Sequence, residues 1–187
     1  MKSILTEGIP LINNYLKLLE SERFKSMEQF SNDFLSTNRE ILFNYVKKWA
    51  KDPFHQWSRQ WEYPFVLNRI QQIINDESKN KILDAGSGVT FFPYYLKMKF
   101  KTSHIYCCDY DKMLAPIYEQ INVERSENIG FSNADLRNLP YEDESFNVVY
   151  CISVLEHTDS YKQIIDEFFR ILLPGGKLIV KVLSKTI

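Results

Sequence analysis

Hydrophobic residues follow two different patterns along the chain. Up to about residue 78 they recur at helical spacing, as in Ile41, Tyr45 and Trp49, a spacing that lines one face of a helix. Further along, short apolar runs alternate with longer amphipathic stretches. The pattern therefore predicts a helical N-terminal extension or cap over residues 1–78 and a unit of alternating strands and helices over residues 79–187.

Three local signals divide the N-terminal part. The run Ser36-Thr-Asn38 is predicted to cap the start of a helix, since such side chains accept from free backbone N–H groups. Asp52-Pro53 marks a break. Pro64 is predicted to open the helix that follows it, because proline suits the first turn of a helix.

The second part predicts a parallel sheet. Apolar runs predict strands at residues 82–83, 105–108, 146–152 and 178–183, with a weaker candidate at 129–131. Helical segments are predicted between them, near residues 91–100, 111–123 and 161–172. Strands that alternate with helices form βαβ units, whose crossovers are right-handed. The predicted class is therefore α/β.

Composition narrows the classes of partner. The net charge of the 187 residues is −1, which disfavours nucleic acid as the main partner, because phosphate binding usually needs a basic excess. No apolar run is long enough to span a bilayer, and the N-terminus does not resemble a signal peptide. The three cysteines, with no zinc-type spacing, indicate reduced thiols and a cytoplasmic protein without a metal site.

A glycine loop follows the first predicted strand and reads Asp84-Ala-Gly86-Ser-Gly88-Val-Thr. Glycines there allow a sharp turn and a close approach of the backbone to a ligand. A dinucleotide fingerprint would need a third glycine where Phe91 stands, and Asp84 would repel a diphosphate. The loop therefore favours a ligand with an ammonium or sulfonium group, and a simple strand-to-helix turn is the alternative.

Acidic residues also end the next two predicted strands. Asp109 can accept from the two hydroxyls of a ribose, or it can cap the following helix. Asp135 can accept from the exocyclic amine of an adenine, or it can cap a turn. Two further segments complete the pattern. One is a central strand that leaves through Val154-Leu-Glu-His157, and the other is a helix end followed by a predicted turn at Pro174-Gly-Gly176 and the next strand.

These five segments, in this order, resemble class I S-adenosylmethionine (SAM)-dependent methyltransferases, particularly the group called type 11. The resemblance covers about residues 78–183 and implies a Rossmann-like, mostly parallel sheet in the order 3-2-1-4-5, with helices on both faces. It implies SAM as the cofactor and assigns the ribose to Asp109 with Tyr110 beside it. The remaining implied contacts are Asp84, Gly86, Ser87 and Gly88 near the methionine part, Asp135 and Leu136 at the adenine, and Cys151 and Ile152 along the floor.

The C-terminus departs from the family pattern. Family members have two further strands that form an antiparallel edge, and the sequence leads us to expect this chain without them. The strand from Lys177 to Leu183 is therefore expected at the sheet edge, and an apolar edge invites pairing. We expect it to be covered by the N-terminal helices, by a further C-terminal tail or by a second chain, which would make the protein a homo- or hetero-oligomer.

Methyl transfer from SAM is an in-line displacement that depends mainly on alignment and exclusion of water. His157 is the candidate general base, because it follows the central strand and because histidine side chains in general can exchange protons near neutral pH. The alternative is a structural turn. Arg59, Trp61 and Tyr63 are candidates for a lid or substrate contact, with packing between helices as the alternative.

The favoured function is methylation of a small molecule, whose identity the sequence does not specify. The alternatives are a methyltransferase of protein or RNA and a non-catalytic partner subunit. A basic patch that includes Lys47, Lys48 and Lys51 would favour RNA.

Overall fold

A computed structural model describes residues 4–48, 54, 56–74 and 78–182. Its chain divides into two compact units, Met1–Gln72 and Ile73–Ile187. Trp49, Lys51 and the break at Asp52-Pro53 lie outside the described residues, as does Leu183 at the end of the predicted edge strand. The side chains of Lys47 and Lys48 are likewise outside the description, so the basic patch stays a prediction.

The first unit consists of helices. They are α1 (Ile12–Leu19), α2 (Glu22–Thr37), α3 (Arg39–Lys48) and α4 (Trp57–Ile73). Ser21 caps α2, since its hydroxyl oxygen accepts from the Phe24 N–H at 3.2 Å. Asn38 ends α2 rather than capping α3 through its side chain, because its Nδ2 donates to the Phe34 carbonyl at 2.8 Å.

Pro64 does not open a helix, and that prediction was wrong. It lies inside α4, which already begins at Trp57. Proline has no N–H to donate and is costly inside a helix. Trp61, Tyr63 and Phe65 are all buried on the same helix, and burial of such large aromatic side chains stabilises enough to keep the helix continuous through the proline.

The second unit contains one five-stranded parallel sheet. Its strands are β1 (Lys81–Ala85), β2 (His104–Asp109), β3 (Gly130–Asn133), β4 (Phe146–Ile152) and β5 (Leu172–Lys181). Their order across the sheet is β3-β2-β1-β4-β5, and every neighbouring pair is parallel. This confirms the predicted α/β class and strand order, and the weak strand candidate near residue 130 is real.

Helices cover both faces of the sheet. They are α5 (Phe92–Lys99), α6 (Ala115–Arg125) and α7 (Tyr161–Ile171). On one face, α7 residues such as Phe168 join the buried cluster that contains Leu83 and Val149. On the other face, the ring of Phe92 in α5 meets that of Tyr150 in β4 at 5.7 Å. The alternation of side chains along each strand therefore buries the sheet on both sides, as parallel sheets require.

The last strand begins earlier than the sequence predicts. Leu172 follows α7 directly and pairs with Phe146, whereas Lys177 pairs with Val148. Residues 173–176, which include the predicted Pro-Gly turn, therefore form a bulge inside β5 rather than a turn before it. Gly175 supplies the positive φ of +83° that this bulge needs.

Strand β5 lies at one edge of the sheet, as predicted. What covers its outer edge stays a prediction. Within the described part of the chain, no helix is long and apolar enough to cross a membrane.

Candidate functional site

The glycine loop lies where β1 ends, against the end of β2. The N–H groups of Gly86 and Ser87 both donate to the Cys108 carbonyl, at 2.9 and 3.0 Å. Gly86 has φ +76° and Gly88 has φ +54°, a left-handed conformation that favours glycine. The loop is therefore held by backbone hydrogen bonds to the neighbouring strand, at the carboxyl edge where open α/β sheets bind ligands.

Gly86 is required for packing as well as for conformation. A Cβ placed on it would lie 2.6 Å from Cγ2 of Val154, which follows β4. Ser153, just before Val154, adopts φ +53°, and its N–H donates to the Lys181 carbonyl at 2.7 Å. The strained turn after β4 thus presses Val154 onto the glycine loop.

The Asp109 carboxylate is oriented by two backbone groups. Its Oδ2 accepts from the Gly88 N–H at 2.9 Å, and its Oδ1 accepts from the Asp111 N–H at 3.0 Å. A carboxylate has about four lone-pair directions, so each oxygen keeps capacity for one further donor. The two remaining directions suit the vicinal hydroxyls of a ribose. The alternative prediction was that Asp109 caps the next helix. Asp111 caps it instead, since its carboxylate accepts from the Met113 N–H at 3.0 Å.

Asn133 at the end of β3 ties the strand ends together. Its Nδ2 donates to the carbonyls of Asp109 and Tyr110, at 3.0 and 2.8 Å. The side chain of Tyr110 itself is exposed. Tyr110 is therefore fixed through its backbone while its ring is free to cover a ligand beside Asp109.

Asp84 is buried beneath the loop rather than exposed in it. It pairs in register with Cys107 on β2 and with Tyr150 on β4, so these three side chains project from the same face of the sheet. Burial, followed by the Asp84 charge, raises the pKa of both Cys107 and Tyr150. Both neighbours therefore stay neutral beside Asp84.

Asp135 is engaged by Arg137 in this structure. Its Oδ1 accepts from the Arg137 N–H and Nε, at 2.9 and 3.0 Å, and its Oδ2 accepts from Nε and Nη2, at 3.0 and 2.5 Å. The pKa of Asp135 is lowered, chiefly by these side-chain hydrogen bonds. The carboxylate is thus ionised, but Arg137 uses the acceptor capacity that an adenine amine would need. Leu136, between them, is buried.

The loop after Asp135 is anchored to α7 through Arg170. The Arg170 guanidinium donates to the carbonyls of Leu139 and Tyr141, at 3.1 and 2.9 Å, and to the carboxylates of Asp143 and Glu167, both at 2.6 Å. Glu167 in turn accepts from the Leu139 N–H at 2.7 Å. This network fixes the path of the chain from β3 to β4.

The segment that follows β4 carries the candidate base. Cys151 is buried in the α7-facing cluster, and Ile152 is buried at the strand end. His157 lies in a short 3-10 turn, its N–H donates to the Val154 carbonyl at 3.0 Å, and its side chain is exposed. His157 therefore belongs to the same turn as Val154, the residue that packs on Gly86.

The predicted lid residues lie on α4 in the first unit. Trp61 and Tyr63 are buried, and Arg59 forms an ion pair with Glu62 and lies 5.9 Å from the centre of the Tyr63 ring. These contacts suit the alternative of packing among helices, and the lid role stays a prediction.

The sequence did not predict the roles of three residues at the site: Val154, Asn133 and Tyr118. Each acts on the glycine loop or on Asp109 from an element distant in sequence. Tyr118 lies within a predicted helix, but nothing in helical periodicity distinguishes a buried tyrosine that bonds a loop from one that only packs.

All three cysteines are free and buried, as predicted. Burial raises the pKa of Cys108 to about 12, so this thiol is not a nucleophile at neutral pH. Among the described residues, no group of three or more His, Cys, Asp or Glu side chains could hold a metal ion.

Comparison with known proteins matches residues 83–180, just over half of the chain, to the family described as "Methyltransferase domain". The matched segment contains the glycine loop, Asp109, Asp135 and the turn after β4. It therefore coincides with the sheet and the site described above.

Curated relatives match over parts of their length. The chain is 37% identical over 79 residues to a sterol 4-C-methyltransferase of Caenorhabditis elegans, which covers 39% of this chain and 24% of that protein. It is 25% identical over 153 residues to a ubiquinone biosynthesis O-methyltransferase of Rickettsia typhi, which covers 75% of this chain and 61% of that one. The chain thus spans less than two thirds of the length of these relatives.

Solved structures share the fold. The PH0226 protein of Pyrococcus horikoshii superposes with a TM-score of 0.61 at 22% sequence identity, covering 76% of this chain and 62% of that one. At this identity the likeness shows the fold alone.

Proposed function

Because the chain belongs to the methyltransferase domain family, we propose that it transfers a methyl group from SAM to a small-molecule acceptor by in-line displacement. The observation that carries this proposal is the Asp109 carboxylate, whose two oxygens are oriented by the Gly88 and Asp111 N–H groups. When bound, SAM supplies the activated methyl group. The chain's own residues have to hold the cofactor, orient the acceptor and exclude water.

The residues present fit such a cofactor. Asp109 offers two acceptor directions for the ribose hydroxyls, and the left-handed glycines leave the backbone of residues 86–88 open to close approach. Asp84 is buried at the end of β1 beside the loop, and we infer that its carboxylate offers the ammonium and sulfonium groups of SAM a negative charge.

Two lines of support favour a small-molecule acceptor. Both curated relatives described above carry the names of small-molecule methyltransferases, and the net charge of −1 offers no overall basic excess for RNA. The free, buried cysteines support a reducing compartment such as the cytoplasm.

We assign His157 as the candidate general base for an acceptor that must lose a proton. Its exposed imidazole lies in the turn that follows β4, at the carboxyl edge of the sheet, and histidine is the side chain that most often transfers protons in active sites. Base catalysis typically contributes about a hundredfold or more. Replacing His157 with asparagine is therefore expected to lower kcat at least about tenfold at neutral pH while the Kd for SAM stays within about twofold.

Calorimetry with SAM followed by a labelled-methyl assay tests the function. We expect saturable binding by the wild-type chain and transfer of label to a metabolite pool. A folded wild-type chain that does not bind SAM would overturn the proposal and leave the non-catalytic partner as the better explanation. Binding with transfer only to RNA or protein would reject the small-molecule acceptor.

The Arg137–Asp135 pair leads us to expect that removal of a charged side chain, that of Arg137, strengthens SAM binding. Arg137 occupies the Asp135 oxygens, and SAM carries a net positive charge that Arg137 repels. Replacing Arg137 with glutamine is expected to tighten SAM binding roughly threefold, because the charged guanidinium would no longer compete with the adenine amine for the Asp135 oxygens. The expected gain is small because the Arg137–Asp135 ion pair is exposed. Asp135→Asn is expected to weaken SAM binding. Calorimetric Kd values measure both, and weaker binding by the Arg137 variant would show that Arg137 assists the cofactor instead.

A further inference from the structure

Tyr118 on α6 brings a polar group into the core directly beneath the glycine loop. Its side chain is 1% exposed. The hydroxyl lies 3.1 Å from Ser87 Oγ and 2.9 Å from the Gly88 carbonyl oxygen. The Ser87 hydroxyl also donates to the Gly88 carbonyl, at 3.0 Å. Tyr118 thus reaches the two consecutive loop residues from a helix that lies 30 positions further along the chain.

The Gly88 backbone is consequently held from two directions. Its N–H donates to Asp109 Oδ2 at 2.9 Å, and its carbonyl accepts from the Tyr118 hydroxyl at 2.9 Å. Gly88 itself has φ +54° and no side chain that could limit its rotation. The two hydrogen bonds together therefore define the orientation of the two peptide groups that flank Gly88. The first of them, which carries the Gly88 N–H, is the group that donates to Asp109.

Tyr118 has little freedom of its own. Its ring stacks on that of Phe131 in β3 at 4.6 Å and on that of Tyr94 in α5 at 6.3 Å, with 17° between the ring planes in each case. Burial, together with the nearby Cys107 and Asp84, raises its pKa well above the ordinary value. The hydroxyl therefore keeps its proton and remains a donor at neutral pH.

We propose that Tyr118 is a positioning residue for the cofactor: its buried hydroxyl orients the Gly88 peptide groups and, through them, the Asp109 carboxylate that receives the ribose. The proposal rests on SAM binding as the proposed function. It assigns to α6 a role in cofactor affinity that goes beyond packing on the sheet.

Tyr118→Phe tests this role, because it removes only the hydroxyl and keeps the stacked ring. Calorimetry with SAM, and separately with S-adenosylhomocysteine, is expected to give Kd values raised by roughly three- to tenfold, the effect of one lost hydrogen bond. The binding stoichiometry should equal that of the wild-type chain. A residue that only stabilised the fold would act differently, by lowering the stoichiometry or the melting temperature and leaving the Kd of the folded fraction unchanged.

Tyr106→Phe is the matched control. Tyr106 is on β2 next to Cys107 but projects from the opposite face, where its ring meets those of Tyr141 and Phe146. The same chemical change there should leave the Kd within about twofold of the wild-type value. Phe131→Leu, which keeps the Tyr118 hydroxyl but removes one stacked ring, is expected to raise the Kd by a smaller factor.

An unchanged Kd in both Tyr118→Phe and Phe131→Leu, measured beside a wild-type chain that binds SAM, overturns the positioning role and leaves the proposed function intact. Should Tyr118→Phe not fold, Phe131→Leu alone decides the matter. A folded wild-type chain without SAM binding overturns the proposed function itself, and the positioning role with it.

Discussion

Replacing Gly86 with alanine is expected to weaken SAM binding at least about a hundredfold. The new Cβ would lie 2.6 Å from Val154 Cγ2 and would also occupy a backbone with φ +76°. Left-handed backbone costs an L-residue roughly 1–2 kcal/mol, and the contact forces either the loop or Val154 to move. Because a displacement of about 1 Å in a binding site can cost about a hundredfold, we expect the Kd for SAM to rise at least a hundredfold by calorimetry.

Gly175→Ala separates backbone strain from the contact with Val154. Gly175 has φ +83°, but a Cβ there would meet nothing within 4 Å. Denaturant unfolding should show a loss of roughly 1–2 kcal/mol in Gly175→Ala and a larger loss in Gly86→Ala, where the contact with Val154 adds to the backbone strain. Only Gly86→Ala should also lose SAM affinity. Adding Val154→Ala to Gly86→Ala should restore part of the affinity. Binding by Gly86→Ala within about threefold of the wild type would mean that the loop does not contact the cofactor.

The second large effect is expected at Asp109. In Asp109→Asn the side-chain shape is kept, but the new amide NH₂ faces one of the two backbone N–H donors, from Gly88 or Asp111, that the carboxylate now accepts. The proposed charge-assisted bonds from the two ribose hydroxyls of SAM to this carboxylate would also be lost or weakened. At about 1.5 kcal/mol for each bond to a charged group, SAM affinity should fall roughly a hundredfold, measured by calorimetry on the folded protein.

Asp166→Asn provides a charge-matched control for this variant. Asp166 is exposed on α7, and its replacement by asparagine changes the net charge by the same amount. Its Kd for SAM should equal that of the wild-type chain. If both asparagine variants weaken binding to the same extent, the effect of Asp109 is one of overall charge, and its ribose-binding role is wrong. Melting curves for the two variants show whether the loss of acceptors also loosens the loop.

Elements of the second unit could be predicted closely because their patterns are local. An apolar run such as residues 146–152 is both the sequence signal and the strand itself. The start of β5 and the helix through Pro64 were missed for a common reason. In each, the local signal for a break is real, but packing of neighbouring residues such as Leu172 and Trp61 outweighs it.

Acidic residues at strand ends could likewise be found from the sequence, since parallel strands bring their carboxyl ends to one edge of a sheet. Asp109 does lie against the glycine loop. The hydrogen-bond partners of Asp135 could not be predicted, because an aspartate is equally suitable for capping a turn and for contacting an adenine. Only the structure shows that Arg137 takes up its oxygens.

The sequence by itself determined the α/β class, the five strands and the loop with its flanking acids, because periodicity and turn residues act over a few positions. Tertiary structure alone decided how that loop is held: Val154 presses on Gly86, and Tyr118 bonds the Gly88 carbonyl. These partners are 68 and 30 residues away. Contacts over such distances leave no local pattern, since they depend on which side chains the folded sheet and helices bring together.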